Sequence, residues 1–162
     1  VEMAYATGRC MCHAEIRIPF EADDVVAMVR KVFDGRVEFH DGTESIAPGI
    51  TVHRIGGHSK GLQSVRVKTR RGHVVLASDA SHLYAHFTER RVFPITYSVA
   101  ETLEGYTTLR KLADSIDHIV PGHDPQVLAR YPAAAPALEE WIVRLDVEPR
   151  PIPQSTLAGV SV

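Results

Sequence analysis

The sequence predicts an α/β layered domain, and three observations predict it. Apolar residues recur with a helical period over 21–33 and 98–113, and with a strand period through much of 36–78. Three strand-like runs, ending near residues 55, 78 and 120, each stop just before a histidine or an aspartate. Helix, strands, helix, strand, helix is the order of a mixed layered fold with ligands at strand ends, not of an all-helical or all-β protein. At 162 residues, 44% apolar and 23% charged, the chain fits one domain over 1–162 with a buried core.

The elements follow in order. Residues 1–6 read as a short strand or the start of a helix. Thr7 to Phe20 mixes Gly8, Cys10, Cys12, His13 and Pro19 without a period and reads as a loop. Glu21 to Phe33 is a helix: Val25, Val26, Val29, Val32 and Phe33 share a face, Asp23 and Asp24 sit in its first turn, and Arg30 and Lys31 near its end suit the helix dipole. After Gly35 the period changes. Arg36 to His40 alternates around Val37 and Phe39, and Asp41-Gly42 can turn it into a hairpin with Glu44 to Ile46. Ala47-Pro48-Gly49 leads into a strand over Ile50 to Ile55. Leu62 to Thr69 alternates, Arg70-Arg71-Gly72 turns, and His73 to Ser78 has the near-continuous apolar run of a buried strand.

Ser81 to Phe87 is expected to form a short helix or turn. Ser98 and Glu101 have capping-box spacing at the head of a helix running to Ala113, with Val99, Leu103, Tyr106, Leu109 and Leu112 on its stripe. Ile116 to Val120 is a short buried strand stopped by Pro121-Gly122. Asp124-Pro125 can start a further short helix with Asp124 as its N-cap, Leu138 to Leu145 with Trp141 can form a last one, and residues 146–162, with Pro149, Pro151 and Pro153, make an extended tail.

The bulk properties exclude some functions. A formal net charge of -2 and an isoelectric point near 6.5 suggest neither nucleic acid nor an anionic membrane as a partner. No apolar run reaches the roughly 18 residues of a membrane span, so a soluble, cytoplasmic protein is expected. Cys10 and Cys12 lie one residue apart, poor geometry for a mutual disulfide, and fit a reducing compartment. The opening at Val1 reads as a chain whose natural beginning is missing.

The chemistry concentrates in three loops. Gly56-Gly57-His58-Ser59-Lys60-Gly61, Ser78-Asp79-Ala80 and Pro121-Gly122-His123-Asp124 offer His, Asp and His at strand ends. Zinc takes neutral imidazole nitrogens and carboxylate oxygens, and lowers the pKa of a bound water toward neutrality. Glycines beside a ligand let the backbone turn and approach the ion. Each match alone is weak, since a histidine in a turn or an aspartate capping a helix is commonplace; it is the set that points to a metal. His82 and His86, spaced i, i+4, read as a surface or packing pair, Cys10-x-Cys12-His13 as part of its loop, and His40, His53 and His73 as ordinary strand residues.

In their order and spacing these three motifs resemble the second half of the metallo-β-lactamase fold superfamily, and specifically its N-acyl homoserine lactone hydrolase branch, over roughly residues 1–131. The resemblance implies part of an αββα sandwich with two zinc ions at one edge of a complete site. It implies that His58 is the last histidine of the first zinc site, Asp79 the carboxylate bridging both ions, and His123 a ligand of the second. It implies hydrolysis of a small-molecule lactone, in a quorum-quenching role, by a hydroxide bridging the metals. The family places a tyrosine shortly after the bridging aspartate to hold the substrate; His82 occupies the nearest spacing, and Tyr84, two residues on, is taken as the candidate.

The chain departs from the family in two places. The string His-x-His-x-Asp-His, which supplies the remaining ligands, does not occur in it, and Ser-Lys-Gly follows His58 where Thr-Pro-Gly is common. The chain is therefore expected to be weakly active or inactive alone, and to expose apolar surface that self-associates or pairs with a missing N-terminal segment. Competing readings are a glyoxalase-II-like thioesterase or an arylsulfatase on the same fold, and a metal-free binding or interaction module.

Overall fold

The computed structural model describes residues 1–151; the part of the expected tail from residue 152 onward lies outside the described residues. Two compact units are present, Val1–Asp124 and a second beginning at Pro125.

The first unit begins with helix α1 (Glu2–Ala6), which decides the open reading of residues 1–6, followed by a 3-10 turn at Arg9–Cys12, a single helical turn α2 (Ala14–Arg17) and the amphipathic helix α3 (Ala22–Phe33). Strands β1 (Thr43–Ala47), β2 (Ile50–Arg54), β3 (Gln63–Thr69) and β4 (Gly72–Ser78) follow as an antiparallel meander. Helices α4 (Tyr84–Glu89) and α5 (Val99–Leu112) then cross to β5 (Ile119–Pro121), which lies parallel to β4. The sheet order is β1-β2-β3-β4-β5, and α5 packs on β4. This is the mixed α/β class that the sequence predicts, with the antiparallel middle it predicts.

The hairpin at the sheet edge differs from expectation. Residues 36–40 form no strand, and the partner of β1 is β2, joined by the two-residue link Pro48-Gly49 with Ala47 facing Ile50. A two-residue link is the commonest way to close a hairpin, and Phe39, whose alternation suggested a strand, is instead 63% exposed.

The core sits where the parallel pair forms. Val74, Val75 and Ala77 of β4, Ile119 of β5, Tyr106 and Leu109 of α5 and Phe87 of α4 are sealed from solvent. A parallel connection needs a crossover of a dozen or more residues that lies back over the sheet, and that crossover buries both strands. Ser98 caps α5 as predicted, its Oγ accepting from the Glu101 N–H at 3.2 Å.

The second unit holds helix α6 (Gln126–Arg130), a 3-10 turn at Pro136–Leu138 and an isolated antiparallel bridge between Ala133 and Val143. Two predictions fail here. Leu138 to Leu145 is not a helix: Ile142 N–H and carbonyl join Leu138 and Ala134, and Trp141 stands 82% exposed with no face to bury. Nor does Asp124 cap α6, whose N-cap is Pro125. The carboxylate of Asp124 faces the other way along the chain and accepts the Tyr84 N–H at 2.9 Å. No helix of the described residues is long and apolar enough to cross a membrane.

Candidate metal centre

The loops after β2, β4 and β5 converge, and backbone hydrogen bonds fix how. The His58 loop is laced to the segment leading into α5: Tyr97 N–H donates to His58 O (3.2 Å) and Ser98 N–H to Gly57 O (3.0 Å). Gly57 has φ 86, and a Cβ there would lie 2.6 to 2.9 Å from Thr102, so only glycine lets the loop sit this close to α5. The β4 and β5 loops are joined by Gly122 N–H to Ser81 O (2.9 Å) and His123 N–H to His82 O (3.0 Å). A Cβ on Gly122 would meet the Ser78 carbonyl at 2.7 Å. Ser78 itself is left-handed at φ 51, an uncommon conformation for a residue other than glycine, and it turns the chain sharply into Asp79.

These constraints bring together the three residues expected from the motifs. His123 Nε2 lies 2.6 Å from Asp79 Oδ1, and His58 Nε2 lies 3.9 Å from Asp79 Oδ2. The two carboxylate oxygens thus face different histidines. His58 Nδ1 is 2.8 Å from the Ile95 carbonyl. A carbonyl only accepts, so Nδ1 carries the hydrogen and the Nε2 lone pair is directed at the cluster.

A fourth residue joins them, His82, whose i, i+4 spacing from His86 predicts only a surface or packing pair. His82 Nε2 is 3.7 Å from Asp79 Oδ1, and ligand atoms of His58, Asp79 and His82 all lie within 4.8 Å of one another. The His82 ring stacks on Phe93 with centroids 3.9 Å apart, and His86 stacks on the same phenylalanine at 5.1 Å. So packing does link His82 and His86, through Phe93, but only His82 faces the carboxylate. The signal for it was its position three residues after Asp79; Phe93 carried none. Tyr84, the tyrosine taken as the candidate, begins α4, is 3% exposed, and packs its ring edge-on to Phe87.

The electrostatics favour ligation. Burial pushes the His82 imidazole down to about 4, against the pull of Asp79 and with a further push from the neighbouring histidines. His86 is also lowered, chiefly by burial. Neutral imidazole is the form that binds a metal. The Nε2 of His82 is buried without a hydrogen-bond partner among the described residues, a state that costs free energy unless something supplies one. Imidazole nitrogens with a carboxylate are the donor set of a zinc-class ion, so the residues fit one. Beside His58 opens a cleft of about 140 Å³ whose lining includes Ile16, Pro94, Ile95 and Tyr97.

No protein-family model matches the chain, and no curated protein matches it. Among solved structures it is similar to an N-acyl homoserine lactone hydrolase with the product N-hexanoyl-L-homoserine bound at the catalytic metal center. That likeness has 27% identity over 54% of this chain and 35% of that one, with a TM-score of 0.48. It is also similar to a probable metal-dependent hydrolase from Staphylococcus aureus, at 18% identity over 61% of this chain and 35% of that one (TM-score 0.49). A third likeness is to AidC, a dizinc quorum-quenching lactonase, at 11% identity over 75% of this chain and 45% of that one (TM-score 0.53). The chain thus spans about a third to under half of the length of each. The solved structures it resembles are those of N-acyl homoserine lactonases and a metal-dependent hydrolase, and the likeness to AidC shows a shared fold over 75% of this chain, in keeping with the layered α/β class that the sequence predicts.

Proposed function

We propose that the His58, Asp79, His82 and His123 cluster is the metal site of a zinc-dependent hydrolase that opens lactone rings, N-acyl homoserine lactones being the substrate class. The observation that carries the proposal is the placing of three imidazoles around one carboxylate at the strand ends, together with the kind of protein to which the chain is similar. A bound zinc ion supplies Lewis acidity and a water of lowered pKa.

The chain's own residues do the rest. His58 and Asp79 present donors toward the same point, His58 held by the Ile95 carbonyl and Asp79 by its bond to His123. The cleft beside His58 offers Ile16, Pro94 and Ile95 as an apolar wall for an acyl chain. Tyr84 is buried at the start of α4 with its ring edge-on to Phe87 of the same helix, and its N–H donates to Asp124, which ties the segment after His82 to the loop carrying His123. Among the described residues the donors suffice for one ion; the second of a two-zinc site needs further ligands.

The test is turnover of N-hexanoyl homoserine lactone by the zinc-loaded chain beside a thioester of similar acyl length. Slow lactone opening, preferred over the thioester and lost in Asp79→Asn, is expected. Preference for the thioester would move the reading to another hydrolase of this fold. Ligand binding that survives alanine at both His58 and His123 would make the chain a binding module instead.

A further inference from the structure

We infer that His82 is a metal ligand: one zinc-class cation sits between His58 Nε2, His82 Nε2 and an oxygen of Asp79, while His123 is a positioning residue that holds the carboxylate. This deepens the proposed metal site, resting on that reading of the cluster but not on the lactone reaction.

The distances separate the two kinds of histidine. Four donors at about 2.0–2.2 Å from a tetrahedral ion stand about 3.3–3.6 Å from one another. His82 Nε2 and His58 Nε2 lie 3.7 and 3.9 Å from the Asp79 oxygens, and the three ligand atoms fall within 4.8 Å. A contraction of up to about 1.5 Å closes them on one ion. His123 Nε2 stands 2.6 Å from Asp79 Oδ1, a hydrogen bond, closer than two ligands of one ion stand, and its side chain is 62% exposed. An imidazole bonded to a ligating carboxylate orients that carboxylate and tunes its basicity.

His82 has the features of a metal ligand. Its Nε2 is buried with no hydrogen-bond partner among the described residues. Its ring is fixed by stacking on Phe93 at 3.9 Å and by the edge-on contact with His123 at 4.7 Å. Phe93 is itself 6% exposed, so the ring has little room to turn its nitrogen toward water. A hydroxyl or imidazole meant to contact substrate would need the opposite arrangement, an open approach. Two imidazoles and a carboxylate leave the fourth position of a tetrahedral ion open, the arrangement of a catalytic rather than a closed structural zinc site.

Cobalt(II), whose tetrahedral complexes absorb visibly, titrated into the metal-free chain tests this, with bound zinc counted in parallel. We expect one ion per chain and a tetrahedral spectrum. His82→Phe keeps the stacked ring but removes the nitrogen, and should weaken binding by more than about 100-fold, whereas His123→Ala should keep the spectrum and lose about tenfold in affinity. His82→Cys, should the phenylalanine variant fold poorly, should add a thiolate-to-cobalt band in the near ultraviolet. Two ions per chain, unchanged binding by His82→Phe, no thiolate band in His82→Cys, or equal losses for His82 and His123 would overturn the assignment and leave the metal site standing. No binding by the unaltered chain would overturn both.

Discussion

Helix α5 seals Tyr106 and Leu109 completely from solvent, whereas α3, whose apolar stripe is the sharper of the two, has no buried residue. Both helices carry Asp or Glu in the first turn and Arg and Lys in the last, so local sequence quality does not separate them. Position in the topology does. Helix α5 lies within the crossover between the parallel strands β4 and β5, and such a crossover has to lie on the sheet. Helix α3 precedes the meander, and its Val29 and Val32 share a shallow groove with Met3, Ala4 and Phe39 instead of a core. An apolar stripe says that a face gains by being covered, and the chain connections decide whether the fold covers it.

The largest expected effect breaks or confirms this contrast. Leu109→Ala, at a position with no exposure, should destabilise by about 3 kcal/mol through lost burial and a residual cavity. Phe33→Ala removes more carbon from a side chain that is 88% exposed and should change stability by less than about 0.5 kcal/mol. Urea unfolding of both variants reads the difference; similar losses would mean that α3 is covered in solution.

A smaller effect is expected where α5 meets the candidate site. Gly57→Ala combines a positive φ with a Cβ driven into Thr102 and should cost about 2 kcal/mol. Because the same loop presents His58, metal affinity should fall along with stability. Ser98→Ala removes the cap of α5 without touching that loop's packing and should cost about 1 kcal/mol, leaving metal affinity close to that of the unaltered chain. Cobalt titration beside urea unfolding separates them. If both variants lose affinity equally, the loop is positioned by the helix as a whole and not by the fit at Gly57.

The same contrast explains what could be read in the sequence. Strands β2, β3 and β4 and helix α5 were legible because period, turn residues and cap agreed at each of them. Leu138 to Leu145 misled because its apolar residues have helical spacing, yet the backbone of Ile142 bonds to Leu138 on one side and to Ala134 on the other, a turn and a bridge instead of a helix. Asp124 misled because Asp before Pro is a strong helix start locally, yet the nearest donor in space is the N–H of Tyr84, forty residues away in the chain. In the candidate site, the loops bearing His58, Asp79 and His123 were visible because glycines and strand ends flank them. His82 was half visible: its spacing from Asp79 singled it out, but its role depends on Phe93, whose stacking against it is a tertiary fact with no local signature. Whether a histidine ligates, packs or orients is set by what lies across from it.

His53 offers the finest probe, since it reports how well the sheet interior is sealed without any contribution from α3. It lies in β2, 8% exposed, with its ring nitrogens 3.1 and 2.8 Å from the hydroxyls of Thr43 and Thr51. Burial first, and then the nearby Arg66, holds its imidazole below the usual range. Near pH 8 the ring is neutral in both folded and unfolded chains and contributes no pH dependence. As the pH falls through about 6.5, the unfolded ring takes up a proton that the folded ring refuses, so stability falls with pH from there down toward the lowered folded value, by less than about 1 kcal/mol per pH unit. Urea midpoints measured at pH 8, 7, 6 and 5 should therefore fall more steeply for the unaltered chain than for His53→Gln. Whatever the glutamine variant costs in absolute stability, equal slopes would mean that β2 is open to water, and would bring this edge of the sheet closer to α3 than to α5.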